Sequence, residues 1–281
     1  MKKRASLLVI VFLCSCFHSL PQEDKLKKAK ASLKSSSSGN SRTTVVKNSK
    51  SSKTSRANSV GDFENPFARA VWYIAAYSVY GVFFESPWEM NGKMHAAEIS
   101  SYPYKTPTYG NFIYTNTTDY NITRFDVYNR FLIASKNLYG NDIGVDFRFL
   151  KRFAIDVNYT TFLEKGKGKS DSFAMFSSLL KYHRIRTQRF DAWFGVGFRH
   201  IFNDVKETRF LLGFGGEVFF SKPISLVASH KWATVNSQSV RNTRLLLKYH
   251  LKNYRISFGY EHYKLGVSNI NSFSFGVEAS F

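Results

Sequence analysis

In its C-terminal half the chain alternates apolar and polar residues with a period of two. In the run from Ser272 to Phe281, Phe273, Phe275, Val277, Ala279 and Phe281 are apolar, while Ser272, Ser274, Gly276, Glu278 and Ser280 are small or polar. Extended backbone turns successive side chains to opposite faces, so such a segment has one apolar face and one wet face. The same period predicts strands at about 123–135, 142–150, 153–163, 173–185, 189–202, 209–220, 224–233, 243–251, 254–263 and 272–281. Lys151-Arg152, Arg186-Thr187-Gln188, Ser221-Lys222-Pro223 and Lys252-Asn253 read as tight turns. The connections at 136–141, 164–171, 203–208, 234–242 and 264–271 read as longer loops.

In every one of these strands an alternate set can be chosen that holds no Asp, Glu, Lys or Arg, although 21% of the chain is charged. Phe125, Val127, Phe131 and Ile133 form that set in the first strand, and Leu245, Leu247, Tyr249 and Leu251 form it near the end. A Lys or Arg facing hydrocarbon at mid-depth costs about 2–4 kcal/mol, which would enforce the exclusion. Asn129 fits its set worst and reads as a bulge. The opposite set carries charge of both signs: Asp126, Arg130, Asp142, Asp146, Arg148, Asp156, Lys181, Asp191, Arg199, Glu217, Lys231, Arg244, Lys248, Arg255, Glu261 and Glu278. In a small closed barrel those side chains fill the interior, and mixed charges there pair across it. A filled interior implies a plugged or narrow pore. In a soluble sandwich the same face would meet solvent and the apolar face would be a dry core.

The last strand resembles the closing strand of Gram-negative outer-membrane β-barrels. The resemblance rests on Phe273, Phe275, Val277, Ala279 and Phe281, the alternate apolar residues and final Phe that the barrel-assembly machinery reads in that family. It implies an all-β membrane protein: an up-and-down antiparallel transmembrane barrel of ten strands, or twelve if 71–84 and 110–115 join. The expected location is the outer membrane, and the expected partners are its lipid and the assembly machinery.

Composition agrees with strands that face lipid. Aromatic residues make up 17% of the 281 residues, with 27 Phe and 16 Tyr, yet hydrophobic residues reach only 43%. No run attains the roughly 18–20 apolar residues a membrane helix needs. The net charge of +20 would ordinarily suggest nucleic acid. Much of it, however, lies before residue 62 in low-complexity sequence, and the rest is interspersed with acidic residues, so no nucleic-acid partner is expected. Residues 1–19 read as an export signal, with Lys2, Lys3 and Arg4 ahead of the apolar run Leu7–Leu13. Leu13-Cys14-Ser15-Cys16 looks like a lipobox with Cys16 as the acylated residue, although Cys14 is unusual there.

Residues 20–62 are rich in Ser and Lys and read as a disordered basic tether, a candidate for contact with an anionic envelope polymer. Residues 63–122 read as a helix after Asn65-Pro66, running to about Phe84, and then an irregular Pro- and Tyr-rich stretch, serving as a plug or as extra strands. The barrel itself is assigned to 123–281.

Neither a metal-ligand spacing nor a phosphate-binding glycine loop is present, and no cofactor is expected. His200, His230 and His262 fall near the rim, where a barrel-embedded hydrolase of lipid A or peptides would keep its base. A His base needs a carboxylate or Ser on its own face. Glu261-His262 and Ser229-His230 are adjacent in sequence, so their side chains point to opposite faces. His183 and His250 fall inward and read as packing within the charge network. The primary expectation is therefore a structural or narrow-channel barrel, with a rim hydrolase or a surface binder using 203–208, 234–242 and 264–271 as alternatives.

Overall fold

The computed structural model describes residues 24–34, 81, 96–105, 110–114, 123–166 and 170–281. All of these except Gly81 belong to one compact unit. Its elements are the helix α1 (Lys25–Leu33), the short strands β1 (Ala97–Ile99) and β2 (Phe112–Tyr114), and ten long strands. These are β3 (Thr123–Ile133), β4 (Leu138–Phe149), β5 (Phe153–Lys165), β6 (Ser170–Arg186), β7 (Phe190–Ile201), β8 (Glu207–Ser221), β9 (Ile224–Val235), β10 (Gln238–Leu251), β11 (Tyr254–Leu265) and β12 (Ser268–Ser280).

β3 to β12 pair with their sequence neighbours in antiparallel register, and β12 returns to β3 to close the ring. The seam sets Phe273 opposite Ile133 and Ala279 opposite Val127. The seam pairs Phe273–Ser280 with Asp126–Ile133, so the ten-stranded sheet has no edge strand. The ten-strand expectation is borne out. The twelve-strand alternative is not, because Phe112–Tyr114 pairs only with β1, in a separate two-stranded sheet. Apart from Gly81, the proposed strand at 71–84 and the proposed helix from Asn65 to about Phe84 lie outside the described residues.

The assignment of faces also holds. Phe131, Ile143, Val196, Phe214, Leu247, Phe258 and Phe275 are exposed on the outer surface, whereas the charged set between them is buried apart from the partly exposed Asp146 and Lys248. The expected contrast between short turns and long loops does not hold. β9 and β10 are joined by Asn236-Ser237, and β11 and β12 by Gly266-Val267, because the strands continue through the stretches read as loops. Asn236 and Ser237 both have positive φ, the conformation whose twist suits a two-residue hairpin. Asn129 is no bulge, since it pairs in regular register with Ile143 and its amide accepts from Asn141 at 2.7 Å. The register shifts fall instead between His183 and Ile185 and between Phe219 and Ser221.

Residues 25–33 fall within the stretch read as a tether, yet they form α1. Lys, Ala and Leu are good helix formers, and Leu26, Ala29 and Leu33 recur on one face of the helix. That face is fully buried against a ring of inward residues at one end of the barrel, including Leu132, Leu138, Phe162, Phe173, Ile201, Val240 and Ile270. Burying a Leu side chain contributes about 1.5–3 kcal/mol, so an otherwise polar nine-residue segment becomes helical only on docking.

Candidate functional site

The candidate site is the lumen, which is layered along the barrel axis. At the end carrying the β5–β6, β7–β8, β9–β10 and β11–β12 connections (the loop end), α1 sits on the apolar ring. Its first amides, Lys25 N–H and Leu26 N–H, donate to the Glu164 carboxylate at 3.1 and 2.8 Å. A carboxylate at a helix N-terminus satisfies free donors and meets the positive end of the helix dipole. The Leu33 carbonyl accepts from Asn236 Nδ2 at 2.7 Å, and Ser268 Oγ donates to the Lys25 carbonyl at 2.9 Å. Lys30 pairs with Asp171 and, at 3.2 Å, with Asp204. Burial pulls the Lys30 ammonium down, but those two carboxylates more than offset this and hold its pKa above the usual lysine value.

Below the ring lies a charged layer. Asp142 is fully buried and accepts from Arg130 and Arg244, both at 2.7 Å, from Thr160 at 2.8 Å and from Asn158 at 2.9 Å. Glu261 lies 3.0 Å from Arg244 and 3.5 Å from Arg130, and it accepts from the Tyr263 hydroxyl at 2.8 Å. Glu278 receives Lys248 at 2.8 Å, Arg255 at 3.1 Å and Arg130 at 3.4 Å. Asp156 bridges Lys181 at 2.7 Å and Lys231 at 3.2 Å, and Lys181 also reaches Asp146. Asp126 holds Arg124 at 2.9 Å and Arg255 at 3.0 Å. Arg199 has no carboxylate within ion-pair distance among the described residues; it donates to Ser177 Oγ and the Val240 carbonyl. Two inward glycines make room for this layer. A Cβ on Gly276 would lie 2.3 Å from Arg130 Cγ, and one on Gly215 would lie 2.8 Å from the Trp193 ring.

At the opposite end (the turn end), the β1–β2 pair and Tyr104 close the lumen. Asn111 donates to Asp191 and Glu217, both at 2.9 Å, and accepts from Arg124 at 2.8 Å. Arg148 lies 2.8 Å from Asp191, whose other oxygen meets His183 Nδ1 at 2.6 Å. The Tyr104 ring packs edge-on against Phe219 and His250, and its hydroxyl donates to the Ile224 carbonyl at 2.6 Å. Burial and the nearby Glu217 charge push the Tyr104 phenol up to about 12. Between the two closures an internal cavity of about 90 Å³ remains, lined by charged groups such as Arg130, Asp156, Lys231 and Glu278.

The sixteen charged residues expected on the inner face thus all face the interior, each in a hydrogen bond or ion pair. Sequence reasoning missed the contributions of Arg124, Asn111, Tyr104 and Ser225. Ser225 donates to Glu217 and meets His250 Nε2, both at 2.7 Å. The serine therefore stands between the acid and the imidazole, not at the end of a relay, and it is fully buried. The rim histidines His200, His230 and His262 face outward and meet Thr208, Thr243 and Asn271 through Nδ1. None of the three has a carboxylate partner among the described residues. No cluster of His, Cys, Asp and Glu able to hold a metal occurs among the described residues.

No family profile and no curated protein matches the sequence. The solved structures it resembles include outer-membrane β-barrels and a designed transmembrane β-barrel. An outer-membrane channel from Pseudomonas putida F1 is 8% identical, with a TM-score of 0.35, over 59% of this chain and 100% of that one. Neisserial surface protein A is 12% identical, with a TM-score of 0.29, over 57% and 96%. The Yersinia pestis outer-membrane protein Ail is 12% identical, with a TM-score of 0.31, over 57% and 98%.

Proposed function

We propose that this chain is an integral outer-membrane β-barrel whose role is structural, or that of a channel kept narrow by its own contents. The observation that carries the reading is the contrast between its two faces. An aromatic-rich outer surface, free of charge across its apolar belt, surrounds a lumen packed with paired charges and covered at both ends. Such an outer surface is unfavourable in water and suited to hydrocarbon, while buried ion pairs need the partners a closed interior supplies. The signal-like residues 1–19 and the closing strand ending in Phe281 support export and recognition by the barrel-assembly machinery. The basic tract outside α1 offers its charge to an anionic envelope polymer.

The test is conductance in planar bilayers. The intact chain is expected to give little or no steady current, and a chain lacking 24–34 and 96–114 is expected to give more. A large, steady conductance from the intact chain would overturn the plugged reading. The rim-hydrolase alternative finds little support, since its histidines hydrogen-bond to Thr and Asn. The surface-binder alternative loses two of its three loops to two-residue turns.

A further inference from the structure

Just beyond the apolar belt on β9–β12, toward the loop end, the outer surface turns basic. Strand register sets His230, Thr243, His262 and Asn271 side by side. One step nearer the rim, Trp232, Arg241, Lys264 and Asn269 form a second row. These residues alternate with the buried Lys231, Asn242, Arg244, Tyr263 and Ile270, so they face outward. Arg241 and Lys264 occupy directly opposed positions in the ladder, where like charges repel.

The interior offers a control. There Arg124 stands opposite Arg148, but Asp126 lies 2.9 Å from the first and Asp191 2.8 Å from the second. On the outside no such relief occurs among the described residues. The outward positions of β9–β12 hold no Asp or Glu, and among the described residues Arg241 donates to Ser239 Oγ, at 2.6 Å. His230 and His262 each use Nδ1 on a neighbour, at 2.8 and 2.6 Å, which leaves Nε2 free to face a ligand. The next outward row toward mid-barrel, Ala228, Leu245, Tyr260 and Phe273, is apolar. The rows are about 7 Å apart, so the histidine row borders the surface that would carry acyl chains and the two cations stand one row farther out, about 14 Å along the strand from it.

We propose that Arg241 and Lys264, with His230, His262 and Thr243 beside them, bind the phosphate of a phosphomonoester lipid headgroup in the leaflet at the loop end. Two opposed cations with an apolar floor match a phosphate joined to acyl chains better than a free anion, which would gain nothing from Tyr260 and Phe273. The proposal rests on the membrane reading above.

The full chain is reconstituted into phosphatidylcholine vesicles with and without phosphatidic acid, extracted in mild detergent, and weighed by native mass spectrometry. Phosphatidic acid should be retained in preference to phosphatidylcholine. Arg241→Ala with Lys264→Ala should lower its retention by about twenty-fivefold, about fivefold per cation. Lys252→Ala, at the turn end, should leave it unchanged. Equal retention by the double variant would overturn the proposal, as would full displacement of the lipid by inorganic phosphate, which would mark a free-anion site. A chain that enters the vesicles but shows no preference for phosphatidic acid sinks this site alone. A chain that never enters them sinks the membrane reading and the site with it.

Discussion

The two ends of the barrel are closed by opposite chemistry. At the loop end α1 presents Leu26, Ala29 and Leu33 to an apolar ring, with polar bonds only at the margins of the contact. At the turn end Asn111, Arg124 and Asp191 form a hydrogen-bonded plug, with Tyr104 and Phe219 as its aromatic cover. Removing the first would expose a greasy ring to water. Removing the second would leave buried charges without partners. The energetic penalties differ accordingly, and so do the experiments that separate the two closures.

The largest effect should come from the layer that both closures shelter. Asp142→Ala removes the nearest carboxylate shared by Arg130 and Arg244 and leaves them Glu261 between them, and losing one partner of a buried pair costs about 3–5 kcal/mol. Urea unfolding in detergent should show the loss. A near-neutral result would mean that water reaches this layer freely. At the loop end, Leu26→Ala with Leu33→Ala should release α1, since truncating a buried Leu costs about 2–5 kcal/mol. Trypsin would then cut within the Lys-rich α1 while the barrel stays folded; continued protection would show that the polar margins hold the helix by themselves.

At the turn end Tyr104→Phe removes one hydrogen bond, worth about 1 kcal/mol. Its pH signature is more diagnostic. The Tyr104 phenol is raised from 10.0 to about 12, so the folded state keeps a proton that the unfolded state loses. The stabilisation is complete below pH 10.0 and is lost as pH rises through about 12. The wild type should therefore loosen at this end across that window, and Tyr104→Phe should lack that component. An identical alkaline profile in both would assign the loosening to another group.

A last experiment perturbs neither closure. With Cys14 and Cys16 replaced by Ser, cysteines at Lys34 and Lys105 should react with an impermeant thiol reagent from opposite sides of the membrane, because α1 and Tyr104 lie at opposite ends of the barrel. Labelling of both from one side would contradict that arrangement.

Much of the barrel was legible in the sequence because its rule is local. A period of two assigns each side chain to a face, and in the membrane reading proposed above lipid outside tolerates so little charge that Phe125 to Phe281 announce their own orientation. Loop length was misread because turn-forming residues such as Asn236 and Ser237 are flanked by polar residues that continue the strands. The helix escaped notice because its stripe of three small or medium apolar residues is too short to stand out from a Ser- and Lys-rich tract, and its N-terminal cap, Glu164, is supplied from a distant strand.

The sequence by itself determined the strands, the two faces and the segregation of charge, since each follows from alternation and the cost of placing charge in hydrocarbon. Only the tertiary structure decided which charges meet, which segments cover the lumen, and that Arg241 and Lys264 stand opposed outside it. Those facts depend on ring closure and strand register, which bring together residues a hundred or more positions apart, such as Arg244 and Asp142, by geometry that no short stretch of chain records.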